Sequence, residues 1–518
     1  VTTAEEDATH VGAEVLRQGG NAIDAAVAVA FALAVTHPSA GNLGGGGFML
    51  VRPTGGPTVA VDFRETAPAA ASAATNRVML AAGGTGYRSA AVPGTVAGLV
   101  LALEMLGTRP LAELVAPAID LARRGHVLKP RQAELLAWSW PRLERDPPAR
   151  AVWGHGLSPR RAGERVKQPD LARTLEAIAN GGQTALYEGQ IAMAIDAAMR
   201  KNGGLVTTAD LAAYAAVRRR PLRISYRGLT VETMPPPSMG GIALAEILLL
   251  LQHERAHEAP PDSDLSVHLF VEAARRAYAE RRKVGADPGL APDDAASNLS
   301  RLLSDDHMRR FLPPIDRDHA TPSLSLEVAT EETAGDPESP ETTHFSVVDR
   351  AGNAVACTVT QSASFGAQVM VPGTGILLSN AMGGFSPSGV NSVGPKKRMA
   401  SSMTPTILSQ DGKVVLVLGS PGGDTIPSTV AQITRNVVDW GMTVDEAVMH
   451  ARVHHQYLPD EVRTERETPP PKAVVAGLVR RGHKIHVVAA PLGEANAILV
   501  DPTTGTAWGV ADPRGDGK

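Results

Sequence analysis

The chain is short of cysteine, short of aromatic residues and without an excess of either charge. Each shortage removes a class of function. Cys357 is the single cysteine, so neither an intrachain disulfide nor a cysteine metal cluster can form. Aromatic residues make up 4% of the 518 residues, too few for a stacking platform for nucleobases. The net charge of −4 leaves no electrostatic footprint for nucleic acid or an anionic membrane. The longest apolar run, Ala25 to Val35, has eleven residues, too few to cross a bilayer but suited to a buried helix. The fifteen histidines are scattered. The one adjacent pair, His454-His455, lacks the spacing of helical metal ligands, and no metal or cofactor is expected. The first residues, Val-Thr-Thr-Ala-Glu-Glu-Asp, are acidic where a secretory signal is basic and then apolar. A cytoplasmic location is the expectation; a secreted or periplasmic one stays open if a leader was trimmed.

What remains is a globular composition, 43% hydrophobic and 20% charged, in a chain long enough for several packed units or one large layered domain. Residues 1–38 read as two helices broken at Gly19-Gly20-Asn21. Met49–Val51 and Thr58–Phe63 read as a hairpin ending at Asp62-Phe63-Arg64-Glu65, and four glycines, Gly44 to Gly47, precede it. From Pro93 to about Val284 apolar residues recur at three and four, the helical period, with short strands near Leu222–Tyr226 and Thr230–Thr233. After Thr342 the chain turns strand-rich. A helical first part and a sheet-rich second part predict an α+β fold with helices packed outside antiparallel sheets.

The organising stretch is Thr342-Thr343-His344-Phe345-Ser346-Val347. Glu327 to Glu341, just before it, holds six acidic residues and no basic one, mixed with Pro337, Pro340 and Gly335. Such a segment cannot bury enough apolar surface to offset its ordering entropy and reads as a flexible tether over 321–341. A tether that ends at a hydroxyl opening a strand suggests a chain cut to expose a new N-terminus. A threonine hydroxyl is a weak nucleophile without a base, and a free amine on the same residue is one way to supply it. Thr342 and Thr343 are equally ordinary strand residues, since threonine is favoured there. Ser401-Ser402 and Ser420-Pro421-Gly422-Gly423 read locally as turns, the glycine pair also being able to aim successive N–H groups at an oxyanion.

In order along the chain, the motifs are Gly19-Gly20-Asn21-Ala22, Asn42-Leu43-Gly44 through Phe48, Asp62-Phe63-Arg64-Glu65, Pro93-Gly94-Thr95-Val96 and Met234-Pro235-Pro236-Pro237-Ser238. Then come Thr342-Thr343-His344, Ser401-Ser402-Met403, Gly419 through Gly423, and Asp512-Pro513-Arg514. Together they resemble the γ-glutamyltranspeptidase family of N-terminal-nucleophile hydrolases over nearly the whole chain. The resemblance implies a four-layer αββα sandwich of two stacked antiparallel sheets flanked by helices. It implies a proenzyme that cuts itself at Glu341-Thr342 into a heavy subunit, 1–341, and a light subunit, 342–518, which stay together as a heterodimer, with a higher oligomer open. It also implies roles. Thr342 is the nucleophile with its own amine as base, Thr360 hydrogen-bonds it, and Gly422 and Gly423 hold the oxyanion.

The resemblance breaks at one end of the substrate pocket. Arg64, Ser401 and Ser402 match the residues that hold a glutamyl α-carboxylate. The places that hold the α-ammonium are occupied here by Ser362, Ala381 and Gly384, none an anion, while Asn380 can orient substrate or cap a strand end. An ammonium desolvated without an anion costs several kcal/mol. The expected substrate is a small molecule whose acyl group carries a carboxylate and no α-amino group, oxalyl-, succinyl- or glutaryl-like. A true γ-glutamyl transferase or glutathione hydrolase, with Asp424 as the missing anion, is the alternative. A C–C hydrolase releasing an oxalyl-type acid in antibiotic biosynthesis is a third. The segment Phe385–Arg398 is short for the family, which predicts an open pocket.

Overall fold

The computed structural model describes residues 1–41, 43–281, 287, 303–304, 314–326 and 341–517. Asn42 and most of the predicted tether, 327–340, lie outside the described residues. The main elements run in order β1 (Thr2–Thr3), α1 (Glu6–Arg17), α2 (Ala22–Thr36), β2 (Gly46–Arg52), β3 (Val59–Phe63), α3 (Thr95–Leu106), α4 (Leu111–Arg124) and α5 (Pro130–Leu143). They continue with β4 (Val217–Arg219), β5 (Leu222–Tyr226), β6 (Leu229–Thr233), α6 (Met239–His253), α7 (Asp264–Glu280), β7 (Thr343–Val348) and β8 (Ala354–Thr360). The last are β9 (Thr406–Gln410), β10 (Lys413–Gly419), α8 (Ile426–Trp440), β11 (Asn496–Val500) and β12 (Ala507–Ala511).

Two six-stranded sheets form the centre. The first runs β1-β7-β8-β2-β3-β4 and the second β12-β11-β10-β9-β6-β5, with every neighbouring pair antiparallel. Helices α2 and α3 cover the outer face of the first sheet, and α6 and α8 that of the second. The predicted αββα sandwich is present. All fifteen residues of α2 are buried, which is why its sequence is apolar on every side. It is started by Asn21 and Asp24 in a reciprocal cap, after Gly19 turns the chain with φ +85°.

The helical first part and the sheet-rich second part are interleaved: each sheet takes strands from both sides of Thr342. β7 and β8 lie between β1 and β2, and β6 pairs with β9. β4, Val-Arg-Arg, carries no alternation, and β9 is five residues ending in polar Ser-Gln, so neither shows in the sequence.

The period of two decides what faces what. Phe345 and Val347 of β7 join the cluster under the helices, while His344 and Ser346 face the second sheet. There Ser346 Oγ donates to Asn496 O at 3.1 Å and accepts from His344 Nε2 at 3.0 Å. His344 Nδ1 then accepts from Thr358 Oγ1 at 2.8 Å, and Asn496 Nδ2 donates to His344 O at 3.0 Å. Burial pushes the imidazole down to about 3, so it stays neutral in this tautomer and ties the sheets together next to Thr342.

Candidate active site

Glu341 and Thr342 both lie among the described residues, just ahead of β7. Antiparallel pairing of β7 with β8 sets Thr343 opposite Val359 and so brings Thr342 to Thr360. The Thr342 hydroxyl donates to Thr360 Oγ1 at 3.3 Å, and that hydroxyl donates in turn to Glu341 O at 2.9 Å. The Ser362 N–H donates to Thr360 Oγ1 at 2.9 Å. Thr360 therefore bridges the predicted nucleophile and the carbonyl of the bond it would attack.

Arg64 leaves the end of β3 and is 2% exposed. Its Nη1 donates to Glu65 Oε2 at 2.9 Å and reaches Ser362 Oγ at 3.4 Å. Thr342, Thr360, Ser362 and Arg64 thus form one hydrogen-bonded line. Arg64 Nε is buried and without a partner. A buried cation with a vacant donor is completed by an anion, and a carboxylate fits the planar fork of arginine. Burial raises the Glu65 carboxyl, against the pull of Arg64. The role of Glu65 as Arg64's fixed anion was not read from the sequence, where it is one more acid at a strand end.

Asp62 joins the Arg64 strand to the serine loop. It accepts from the Arg64 N–H at 2.9 Å and from Arg219 Nε at 2.7 Å, and pairs with Arg398 at 3.5 Å. Three residues on, Ser401 lies beside the proline turn: its N–H donates to Pro237 O at 3.1 Å, and Met239 N–H donates to Ser401 O at 2.8 Å. Ser402 Oγ accepts from Arg281 Nη1 at 2.9 Å, and Arg281 also pairs with Asp424. Asp424 is thereby held by a guanidinium. No signal in the sequence pointed to Arg281, which sits at the end of α7.

The surroundings of Ala381 and Gly384 are apolar. Ala381 clusters with Ala67, Met382, Phe385 and Met399, and the position of a Gly384 side chain would lie 3.3 Å from Met399 Cγ. Asn380 donates its N–H to Gln361 O at 2.8 Å, and its Oδ1 is buried without a partner. The short segment 385–398 folds on itself, Asn391 Nδ2 donating to Gly384 O at 2.9 Å and Lys397 Nζ to Val390 O at 2.6 Å. The expected open pocket is not seen among the described residues. Thr342, Thr360, Arg64, Ser401 and Ser402 are all buried, so a short segment alone does not expose them.

Gly419 ends β10 directly against the His344 ring, which leaves no room there for a Cβ. The chain beyond it therefore leaves the second sheet beside the strand end that carries Thr342. Gly422 has φ +134° and Gly423 φ +57°, conformations that favour glycine. Among the described residues neither N–H has a hydrogen-bond partner.

One cluster has metal-like spacing, His268, Glu272 and His483, and its hydrogen bonds show why it needs no metal. His268 Nε2 must donate to Asp316 O at 2.7 Å, so its Nδ1 accepts from His483 Nε2 at 2.8 Å. His483 Nδ1 then accepts from Arg275 Nη2 at 3.4 Å. Glu272 is held by Arg275, Arg276 and the Thr321 N–H. Both imidazoles thus have their ring nitrogens engaged, and both Glu272 oxygens accept from cations or a backbone N–H.

Two stacked antiparallel sheets between helices, with a strand-opening threonine at their shared end, define an N-terminal-nucleophile hydrolase, an enzyme fold. Cephalosporin acylase from Bacillus halodurans has the same architecture, with a TM-score of 0.88, 29% identity, and coverage of all of this chain and 94% of that one. A glutathione hydrolase proenzyme of Escherichia coli (strain K12) is 41% identical over 99% of this chain and 90% of its own. An acylase ACY 1 proenzyme of Pseudomonas sp. (strain SE83) is 36% identical over 100% of this chain and 92% of its own. The γ-glutamyltranspeptidase family profile matches residues 8–518, and the chain belongs to that family. No helix among the described residues is long and apolar enough to cross a membrane.

Proposed function

We propose that the chain cuts itself between Glu341 and Thr342, and that the freed threonine hydrolyses an amide whose acyl group ends in a carboxylate and carries no α-amino group. The fragments 1–341 and 342–518 then remain one molecule. In the first step the Thr342 oxygen attacks the Glu341 carbonyl, the C–N bond breaks, and the nitrogen leaves as the Thr342 amine. Water splits the resulting ester. In turnover the amine takes the Thr342 hydroxyl proton as the oxygen attacks the substrate carbonyl, and returns it to the departing amine; water then cleaves the Thr342 ester, releasing the acid and restoring the hydroxyl. Two N–H donors at Gly422 and Gly423 would each contribute about 2.7–4 kcal/mol to the oxyanion, as in comparable acyl-transfer sites.

The observation that carries this reading is the vacant Nε of Arg64, a buried cation on the same hydrogen-bonded line as Thr342. The absence of an anion at Ser362, Ala381 and Gly384 supports the missing amino group, and Asp424 is engaged by Arg281. A γ-glutamyl substrate is the second reading. It is favoured by the unpartnered Oδ1 of Asn380, which can accept from an ammonium, and by the glutathione hydrolases among the relatives.

Denaturing electrophoresis tests the cut: two bands are expected from the wild type and one from Thr342→Ala, which also loses all turnover. Glutaryl-, succinyl- and oxalyl-anilides assayed beside γ-glutamyl-anilide test the acyl group. Faster release from the γ-glutamyl compound would decide for the second reading.

A further inference from the structure

The glycine pair is followed at once by Asp424, and Asp424 is gripped twice from the end of α7. Its carboxylate accepts from Arg281 Nη2, and its backbone carbonyl accepts from the Tyr278 hydroxyl. Tyr278 and Arg281 are three residues apart, so they share one face of the helix end. The guanidinium lies 4.2 Å from the centre of the tyrosine ring, within cation–π range. The ring meets His454 edge-on with centroids 5.3 Å apart, and His454 is itself held by Ser428 at 2.9 Å and Gln456 at 3.0 Å. Arg281 has a second engagement: its Nη1 donates to Ser402 Oγ at 2.9 Å. One guanidinium therefore spans the gap between the serine pair and the residue that follows the glycine pair.

We propose that Tyr278 and Arg281 are positioning residues for the oxyanion: they pin Asp424 so that the N–H groups of Gly422 and Gly423 keep their aim during turnover. The proposal rests on the reading of those two glycines as the oxyanion donors. Neither glycine has a side chain to wedge it in place, and both sit at positive φ, where the backbone needs outside support. Within the loop, Thr425 holds the Gly422 carbonyl through its N–H at 3.1 Å and its Oγ1 at 3.0 Å. Asp424, between them, is the point where the rest of the fold takes hold. A misplacement of about 1 Å at a reacting centre costs on the order of a hundredfold in rate. Tyr278 and Arg281 precede Glu341, whereas Asp424 follows Thr342. After the cut, then, one fragment braces the oxyanion loop of the other, and the fragment 342–518 alone would carry the nucleophile and both glycines with the loop unbraced.

The test compares two inhibitors and one substrate on the cut enzyme, with rates referred to the cut fraction on a denaturing gel. Glutarate occupies the acyl site without forming an oxyanion. In 4-boronobutanoate the boron accepts the Thr342 oxygen while the amine takes the proton, which gives a tetrahedral anion at the glycine pair. Tyr278→Phe is expected to lower kcat for the glutaryl-anilide about tenfold with KM within twofold. It is expected to weaken 4-boronobutanoate by the same factor and to leave glutarate inhibition unchanged. Arg281→Gln is expected to do the same more strongly and to weaken glutarate about threefold as well, because Ser402 loses its donor; Arg281→Lys restores part of both losses. Should Arg281→Gln not fold, Tyr278→Phe carries the test. Wild-type kcat in Tyr278→Phe, or equal losses for glutarate and 4-boronobutanoate, would overturn the brace. A Thr342→Ala protein that still turns substrate over overturns the nucleophile reading and the brace with it, whereas a dead Thr342→Ala beside a fully active Tyr278→Phe overturns the brace alone.

Discussion

Two buried polar clusters of this molecule, around Arg64 and around Glu272, are built from similar residues and end differently. Around Glu272 every group is answered. Arg275 reaches Glu272 at 3.2 Å, Ser323 at 2.6 Å, and also Asp460; Arg276 reaches Glu272 at 2.6 Å. His455 gives its Nε2 to Asp460 at 3.2 Å and takes the Tyr457 N–H at 3.1 Å. Around Arg64 the line runs from the nucleophile to a cation and stops at a vacant Nε, with the Asn380 Oδ1 also unanswered. A satisfied buried network rigidifies a fold, and an unsatisfied one stores the cost until a ligand arrives. The first cluster reads as structural and the second as a site, although both would score alike on charge and burial.

The contrast can be broken at either end. Glu272→Gln removes the buried anion that Arg275 and Arg276 share, Arg275 keeping only Asp460, and is expected to cost about 3–5 kcal/mol of stability, read from urea denaturation. Arg64→Gln is expected to lower kcat/KM for a carboxylate-bearing anilide about a hundredfold and to shift the urea midpoint little, since Glu65 can take up a proton. Loss of stability equal to that of Glu272→Gln would erase the distinction.

Acid separates the clusters further. Burial holds His268 and His455 below their ordinary value and takes His483 down to about 3. The unfolded chain titrates near 6.5, so below that pH it binds the protons the fold refuses. Stability is full above about pH 6.5 and falls as the pH drops toward about 3, by roughly 1.4 kcal/mol per pH unit from His483 alone. His483→Asn is expected to reduce the slope of stability against pH between 6 and 4 by about one proton. The smallest effect sharpens the site. Gly384→Asp, whose Cβ meets only the movable Met399 side chain, is expected to raise γ-glutamyl over glutaryl turnover about fivefold. No change in that ratio would count against the missing-anion account.

How far the sequence spoke depended on how local the physics was. The α2 helix and the β2–β3 hairpin follow from runs of residues and their turns, and both were legible. The meeting of Thr342 with Thr360 was legible through family resemblance, and the antiparallel register of β7 and β8 carries it out. The pairing of β6 with β9, some 170 residues apart, had no local trace. Neither did Arg281 on Ser402 and Asp424, nor Arg131 on Glu494, since single arginines on helices look alike until tertiary packing chooses their partners.

The lacing of the first sheet has a consequence for the life of the molecule. β7 and β8, from the far side of Thr342, are sewn between β1 and β2. The thread is whole when this seam is stitched, so assembly is a unimolecular event of low entropic cost. Once the bond at 341 is severed, a denatured molecule is two strangers in solution, and its recovery becomes second order in protein. Folding would then be an irreversible appointment, kept once before the scission and not offered again at cellular dilution.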